Sequence, residues 1–225
     1  MSSEPVEPKA DTRQRLIEAA SEIFIEQGYK AAKIRDIVQR AGANVAAVNY
    51  HFNGKEGLYT EVIRQHAAQA IEDFALAAAE EPRAPEAQLR NYIRTFLKRL
   101  LGNNVQSRMA RLIARESVEP SAAFNLVVEQ FVVPQHVALH NTVRAILGEE
   151  ASEESVRRCS MSIIGQCLYY WSARRVVKRL DPDLGCSVDD VNRVADHIVE
   201  FSLAGMRQVV RKQAAQASDR TGSAE

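Results

Sequence analysis

Two short helical segments joined by a tight glycine turn constrain this chain more than any other feature. In KIRDIVQRAGANVAAVNYHF, residues 33–52, Ile34, Ile37, Val38 and Ala41 fall on one helical face, and Gly42 ends the segment. Asn44 is a good N-cap for the next segment, whose inward residues are expected to be Val45, Val48 and Phe52. The first such helix braces the second, and the arrangement is the helix-turn-helix signature. Upstream, Asp11 or Thr12 can cap a first helix that buries Leu16, Ala20, Ile23 and Phe24 and is stopped by Gly28.

The rest of the chain keeps helical period. A long helix is expected from Leu58 to about Glu80, where EEPRAP at 80–85 breaks it. Further helices read at about 86–102, 105–117 and 121–147, the last kinked by Pro134. Ser152 starts a helix to about Leu180, DPDLG at 181–185 closes it, and Ser187 with Asp190 resembles a capping box for a final helix to about 212. No segment alternates as a strand would. The fold class is therefore all-α: an N-terminal three-helix helix-turn-helix domain followed by a larger helical domain, about nine helices in all. The expected divisions are a disordered tail at 1–10, a helix-turn-helix domain at 11–56, a larger helical domain at 57–213, and a disordered tail at 214–225.

Composition excludes several classes. With 46% hydrophobic residues in a chain of 225, there is ample material for a core, so wholly disordered and collagen-like chains are ruled out. No run reaches the 18 or so apolar residues of a membrane span, and the polar, acidic start MSSEPVEPKADT is no signal peptide, so a cytoplasmic protein is expected. Cys159 and Cys167 lie roughly 12 Å apart on one helix, beyond disulfide reach, and read as buried thiols.

Projecting residues 45–52 around a helix aims Tyr50 most directly outward, with Ala46 and Ala47 beside it and Asn49 and His51 on the shoulders. Small alanines let a helix approach base edges and pack on thymine methyls, while Asn and Tyr supply hydrogen bonds. Around them Lys30, Lys33, Arg35, Arg40 and Lys55 face a single acid, Asp36, although the whole chain is neutral at 29 basic against 29 acidic residues. A local positive patch of this kind suits a phosphate backbone.

Residues 12–59 resemble the DNA-binding domain of the TetR family of bacterial transcription regulators. The match rests on the Ala19-Ala20 and Ile23-Phe24 pairs, Gly28, IRDIVQRAG at 34–42, YHF at 50–52 and KEGLY at 55–59. The sequence departs from the family pattern at Ala32-Lys33, where a Thr is common, at Val45-Ala46-Ala47, and at Asn49, where a Tyr is typical. The resemblance implies that Arg35 and Tyr50 reach bases and that Lys33, His51 and Lys55 hold phosphates. Together with Asn44, Ala46, Ala47 and Asn49 these form the expected DNA-binding surface. RESVEPSAAF at 115–124, SIIGQCLYYWSARRVVKRL at 162–180 and HIVEFSLAGM at 197–206 resemble the CecR-like branch of the family, whose members have been linked to genes affecting antibiotic sensitivity.

The resemblance also implies a homodimer through the last two helices. Ile164, Leu168, Trp171, Ile198, Phe201, Leu203 and Met206 argue the same way, because they exceed what one helix needs to cover its own core. Two recognition helices about one DNA turn apart, roughly 34–36 Å, imply a palindromic operator. An effector pocket is expected from Arg111, Arg115, Phe131, His136, His140, Gln166, Tyr169, Tyr170 and Trp171, which mix aromatic walls with a few polar groups. The basic stretch 88–115 reads equally as a recogniser of a carboxylate-bearing ligand, as a solvated face, or as added attraction to DNA. His136 and His140 have metal-ligand spacing but lack further ligands nearby, so no metal or cofactor is expected. The motifs of catalysis are missing, and Cys167 with a distant His is a chance pairing. The expected function is a repressor released from double-stranded DNA by a small-molecule effector of unknown identity; the alternative is an effector-independent DNA-binding protein of the same fold.

Overall fold

In the computed structural model, residues 9–79, 84–102, 105–116, 118–185 and 187–222 are described, and their regular structure is entirely helical. The chain divides into two compact units: residues 1–75 with 108–133, and residues 76–107 with 134–225.

The first unit is built on α1 (Lys9–Ala31), α2 (Ile34–Ala41), α3 (Val45–Phe52) and the start of α4 (Lys55–Ala79). α1 begins at Lys9, ahead of the expected caps at Asp11 and Thr12. Residues 9 and 10 of the expected tail are therefore helix, and residues 1–8 lie outside the described residues. Gly28 breaks the helical path of α1 at φ 78°, ψ 168°. That region is open essentially to glycine alone, so the turn toward α2 depends on this residue. Leu16, Ile23, Phe24, Ile37, Val48, Leu58, Tyr59, Val62 and Ile63 are all but fully buried in one core.

That core is completed from the middle of the chain. Leu112 and Ile113 of α6 (Val105–Glu116), with Ala123, Val127 of α7 (Phe124–Val127) and Phe131, join the same cluster. Between α7 and α8 (Val133–Leu147) the helix widens into a π-helical turn at Val128–Val132, and the Val133 N–H bonds back to the Val128 carbonyl. Pro134 is the cause. A proline inside a helix has no N–H to give and clashes with the carbonyl four residues earlier, and one wider turn relieves the clash. The expected kink thus takes the form of a π-turn.

In the second unit α5 (Pro85–Leu101) packs against α9 (Glu153–Ser172) and α11 (Val188–Gly222). Leu89, Ile93 and Leu97 of α5 and Ile163 and Cys167 of α9 are buried, as are Ala195, Ile198 and Val199 of α11. Asp196 of α11 accepts from Arg90 and, at 3.3 Å, from Arg94. α9 and α11 run antiparallel, joined by Gln166 donating to Ser202 at 3.4 Å and Gln213 donating to Ser155 at 2.9 Å. The helix expected over 152–180 is interrupted at Ala173, so Arg174–Leu180 forms a separate α10. Ser187 and Asp190 close a reciprocal box: each backbone N–H donates to the other's side chain at 3.1 Å. Hydrogen bonds from Ser187 hold the Asp190 carboxyl below the ordinary carboxylate range. α11 runs on through Gly222, because KQAAQA at 212–217 is a run of strong helix formers. Residues 214–222 are therefore helix rather than tail, and 223–225 lie outside the described residues.

Of the apolar residues expected to exceed the needs of one core, Ile198, Leu203 and Met206 are buried within the single chain. Phe201 is 64% exposed, and Met161 of α9 is 58% exposed. No helix among the described residues is long and apolar enough to cross a membrane.

Candidate nucleic-acid interface

α2 and α3 are positioned by their ends. Gly42 adopts a left-handed conformation at φ 60°, and its N–H returns to the Gln39 and Val38 carbonyls, closing α2. Asn44 opens α3, its side chain accepting from the Ala47 N–H at 2.9 Å. Asn53, left-handed at φ 58°, ends α3 with its N–H on the Asn49 carbonyl. Two of the three expected anchors, Val48 and Phe52, are buried. Val45 is not: it is 47% exposed, and Ala47 packs partly against the core instead. Val45 is the first residue of α3, where a side chain has only one turn of neighbours. The half-buried Ala47 has correspondingly less surface to offer a base than Ala46, which is exposed.

Tyr50 is the most outward large residue of α3, 72% exposed, with its ring edge-on to His51 at 4.9 Å. Asn49 is exposed and His51 half-buried. Lys33 sits at the N-cap of α2 in extended conformation and makes no side-chain cap bond, the local consequence of a lysine where an oxygen would cap. Arg35 is exposed in the first turn of α2. Among the described residues neither Lys33 nor Arg35 forms an ion pair, so both present positive charge outward. Arg40 is engaged elsewhere, with Glu22 at 3.2 Å and Glu26 at 3.6 Å on α1.

Lys55, the first residue of α4, is held in place. Its Nζ lies 4.6 Å from the centre of the Tyr29 ring and donates to the Lys30 carbonyl at 3.4 Å, and burial draws its pKa down from the ordinary lysine value. Beside α3 an open groove of about 800 Å³ is lined by Asn49, Tyr50 and His51 together with Arg13, Thr60, Glu61 and Arg64. Arg13 and Arg64 both pair with Glu61, the former at 2.8 Å. The sequence reading did not single out these residues, since their approach to α3 depends on how α1 and α4 pack.

The nine residues expected to line an effector pocket are divided between the two units. Arg111, Arg115 and Phe131 belong to the first unit. Phe131 is buried in its core, and Arg115 lies over Gly28 and pairs with Glu119 at 3.8 Å. The other six belong to the second unit. His140 pairs with Glu153 at 2.9 Å, tying α8 to α9, and its ring centre is 6.2 Å from that of His136. No three His, Cys, Asp or Glu side chains among the described residues are placed to hold a metal. Gln166 bridges to Ser202, and Trp171 has its indole N–H buried without a partner among the described residues. Tyr169 and Tyr170 do share a cleft of about 460 Å³, with Val177, Leu180, Asp181, Arg193 and His197. Tyr92 of α5 was missed: its hydroxyl is buried with no partner among the described residues, and burial raises its pKa well above the tyrosine range.

Comparison with known proteins agrees with this architecture. The family described as bacterial regulatory proteins, tetR family, matches residues 16–62. A second family, the C-terminal domain of the HTH-type transcriptional dual regulator CecR, matches residues 85–206. The HTH-type transcriptional dual regulator CecR of Shigella flexneri is 32% identical over 173 residues, covering 70% of this chain and 74% of that protein. The HTH-type transcriptional activator FasR of Mycolicibacterium smegmatis is 39% identical over 59 residues, 26% of this chain and 27% of that protein. Among solved structures, a transcriptional regulator from Pseudomonas aeruginosa PAO1 aligns over 88% of this chain and 93% of its own, with TM-score 0.66 at 19% identity.

Proposed function

Because this chain belongs to the TetR family of bacterial transcription regulators and carries a CecR-type C-terminal domain, we propose that it is a homodimeric repressor released from a palindromic operator by a small-molecule effector. One observation carries the DNA-binding half of this reading. The Asn44-capped α3 turns Tyr50 outward, with Lys33 and Arg35 at the start of α2 and Lys55 on α4 in the same domain. Phosphate contacts fix register and base-edge contacts carry sequence, so Tyr50, Arg35, Asn49 and Ala46 are assigned to specificity. Lys33, His51 and Lys55 are assigned to the backbone.

A buried Tyr92 hydroxyl without a partner among the described residues, in a unit that also holds a cleft of about 460 Å³, supports an effector over a fully packed helical body. The effector acts by binding more tightly to the conformation whose recognition helices no longer match the operator, and its reach is limited by that difference in affinity. The exposed Phe201 and Met161, with Gly165 and Gly205 open to close approach, support pairing through α9 and α11. The name of the Shigella flexneri relative, a dual regulator, raises activation at some promoters as a second action. The work of the protein is binding in the cytoplasm rather than catalysis. Cys167, the one thiol weighed as a nucleophile, is fully buried, and burial pushes its pKa up to about 12.

The test is fluorescence anisotropy of the purified protein on the DNA upstream of its own gene, at several salt concentrations. Tyr50→Ala is expected to relax sequence preference. Lys55→Ala is expected to weaken all DNA about equally, with a salt slope shallower by about one. Loss of even non-specific binding in the wild type would overturn the reading.

A further inference from the structure

The segment RESVEPSAAF at 115–124 lies outside the helix-turn-helix in sequence, yet it is docked against it in the first unit. Glu116 is 3% exposed, and both of its oxygens are engaged. Oε1 accepts from the Tyr59 hydroxyl at 2.7 Å, and Oε2 accepts from the Ser121 N–H at 2.8 Å and the Ser121 hydroxyl at 2.9 Å. Tyr59 in turn packs on Tyr29, ring centres 4.7 Å apart, and edge-on to Phe24 at 4.8 Å. The far side of this stack is Lys55, its ammonium over the Tyr29 ring and bonded to the Lys30 carbonyl. The same segment grips the 28–30 turn directly. The Arg115 guanidinium lies over Gly28, and Glu119 meets Lys30 at 3.8 Å.

We infer that Glu116, Tyr59 and Tyr29 are positioning residues for DNA binding: through them the 115–121 segment fixes the Lys55 ammonium where it meets a phosphate. The physical case has three parts. A buried carboxylate with all its donors supplied is a rigid strut, and removing one donor leaves an uncompensated buried group. Two tyrosine rings in tilted contact carry that rigidity without bonds that swivel. An ammonium held by a ring face and a carbonyl has surrendered its rotamer freedom before DNA arrives, so less is lost on binding. Lys30 adds a second hold, since its carbonyl anchors Lys55 while its own ammonium pairs with Glu119. None of the three positioning residues touches DNA in this account. They act through Lys55, and the inference therefore rests on the reading of Lys55 as a phosphate-holding residue.

The test uses the full-length protein, a specific and a scrambled duplex, and anisotropy across a salt series. Tyr59→Phe removes only the hydroxyl and Tyr29→Leu removes the ring beneath Lys55; Glu116→Gln keeps the shape of the strut. Each is expected to weaken both duplexes by about threefold, the scale of an exposed cation–π contact. Each should leave the ratio between the duplexes unchanged and make the salt slope shallower. In a Lys55→Ala background the same substitutions should add nothing further, because interacting residues are non-additive. A purely structural role predicts otherwise: a lower melting temperature with unchanged affinity, or the same loss with and without Lys55, and either result overturns the inference while leaving Lys55 as a DNA contact. If Lys55→Ala itself leaves affinity and slope untouched, the inference and the assignment of Lys55 fall together.

Discussion

The Ser21 hydroxyl on α1 lies 2.9 Å from Nε2 of His66 on α4, so a titratable ring sits in the seam between two helices of the first unit. Burial lowers the His66 pKa from its ordinary 6.5, which means the folded state disfavours the protonated ring. Unfolded chains take up that proton near 6.5, before the folded protein does, so the stabilisation is whole above that value and is lost as pH falls through the lowered folded pKa. Melting temperature followed from about pH 8 to about pH 5 should fall more steeply for the wild type than for His66→Gln. Parallel curves would remove His66 as the cause.

Gly28→Ala meets two obstacles. Its φ of 78° with ψ of 168° is a region that side chains avoid, and a Cβ there comes within 3.2 Å of Arg115 Nη1. The backbone cost alone is about 1–3 kcal/mol. Urea unfolding should show that loss, and a stability equal to the wild type would mean the turn has another conformation.

Cys167 is an inert core thiol by its burial and its raised pKa of about 12. In a Cys159→Ser, Cys186→Ser variant, a thiol reagent at mild pH should label the protein only at the rate at which it unfolds. Fast, stoichiometric labelling of the native protein would contradict the burial of Cys167 on α9.

Phe201 projects from α11 with 64% of its surface exposed in the single chain. Phe201→Glu should shift the protein from dimer to monomer by light scattering, keep its helical circular dichroism, and weaken operator binding sharply, since each half-site then binds alone. An unchanged dimer would place the interface elsewhere.

What the sequence disclosed was local. The Asn44 cap, the Gly42 turn and the Ser187–Asp190 box are made within a few residues and stand as read. The exchange of Val45 for Ala47 on the inner side of α3 was hidden, because an eight-residue helix has few turns over which a face can declare itself. The surroundings of Arg115 and Phe131 were hidden for a different reason. Their partners are Gly28 and the α1–α4 core, about a hundred residues away along the chain, and helical periodicity reports that a face is buried without saying against what. The break at Ala173 carries no Gly or Pro and left no mark in the sequence.

The composition of the first core sets where the recognition domain could be cut out or exchanged. Leu112, Ile113, Ala123, Val127 and Phe131 complete it. A graft that ends at residue 75 would carry the recognition helix with one wall of its core stripped, leaving leucine, isoleucine and tyrosine faces to find other company in the cell. The same debt is incurred during synthesis, because those five side chains leave the ribosome only after residues 76–107 have done so. The head of this molecule is finished late, by a piece of chain that a reader of the linear sequence would assign to the body.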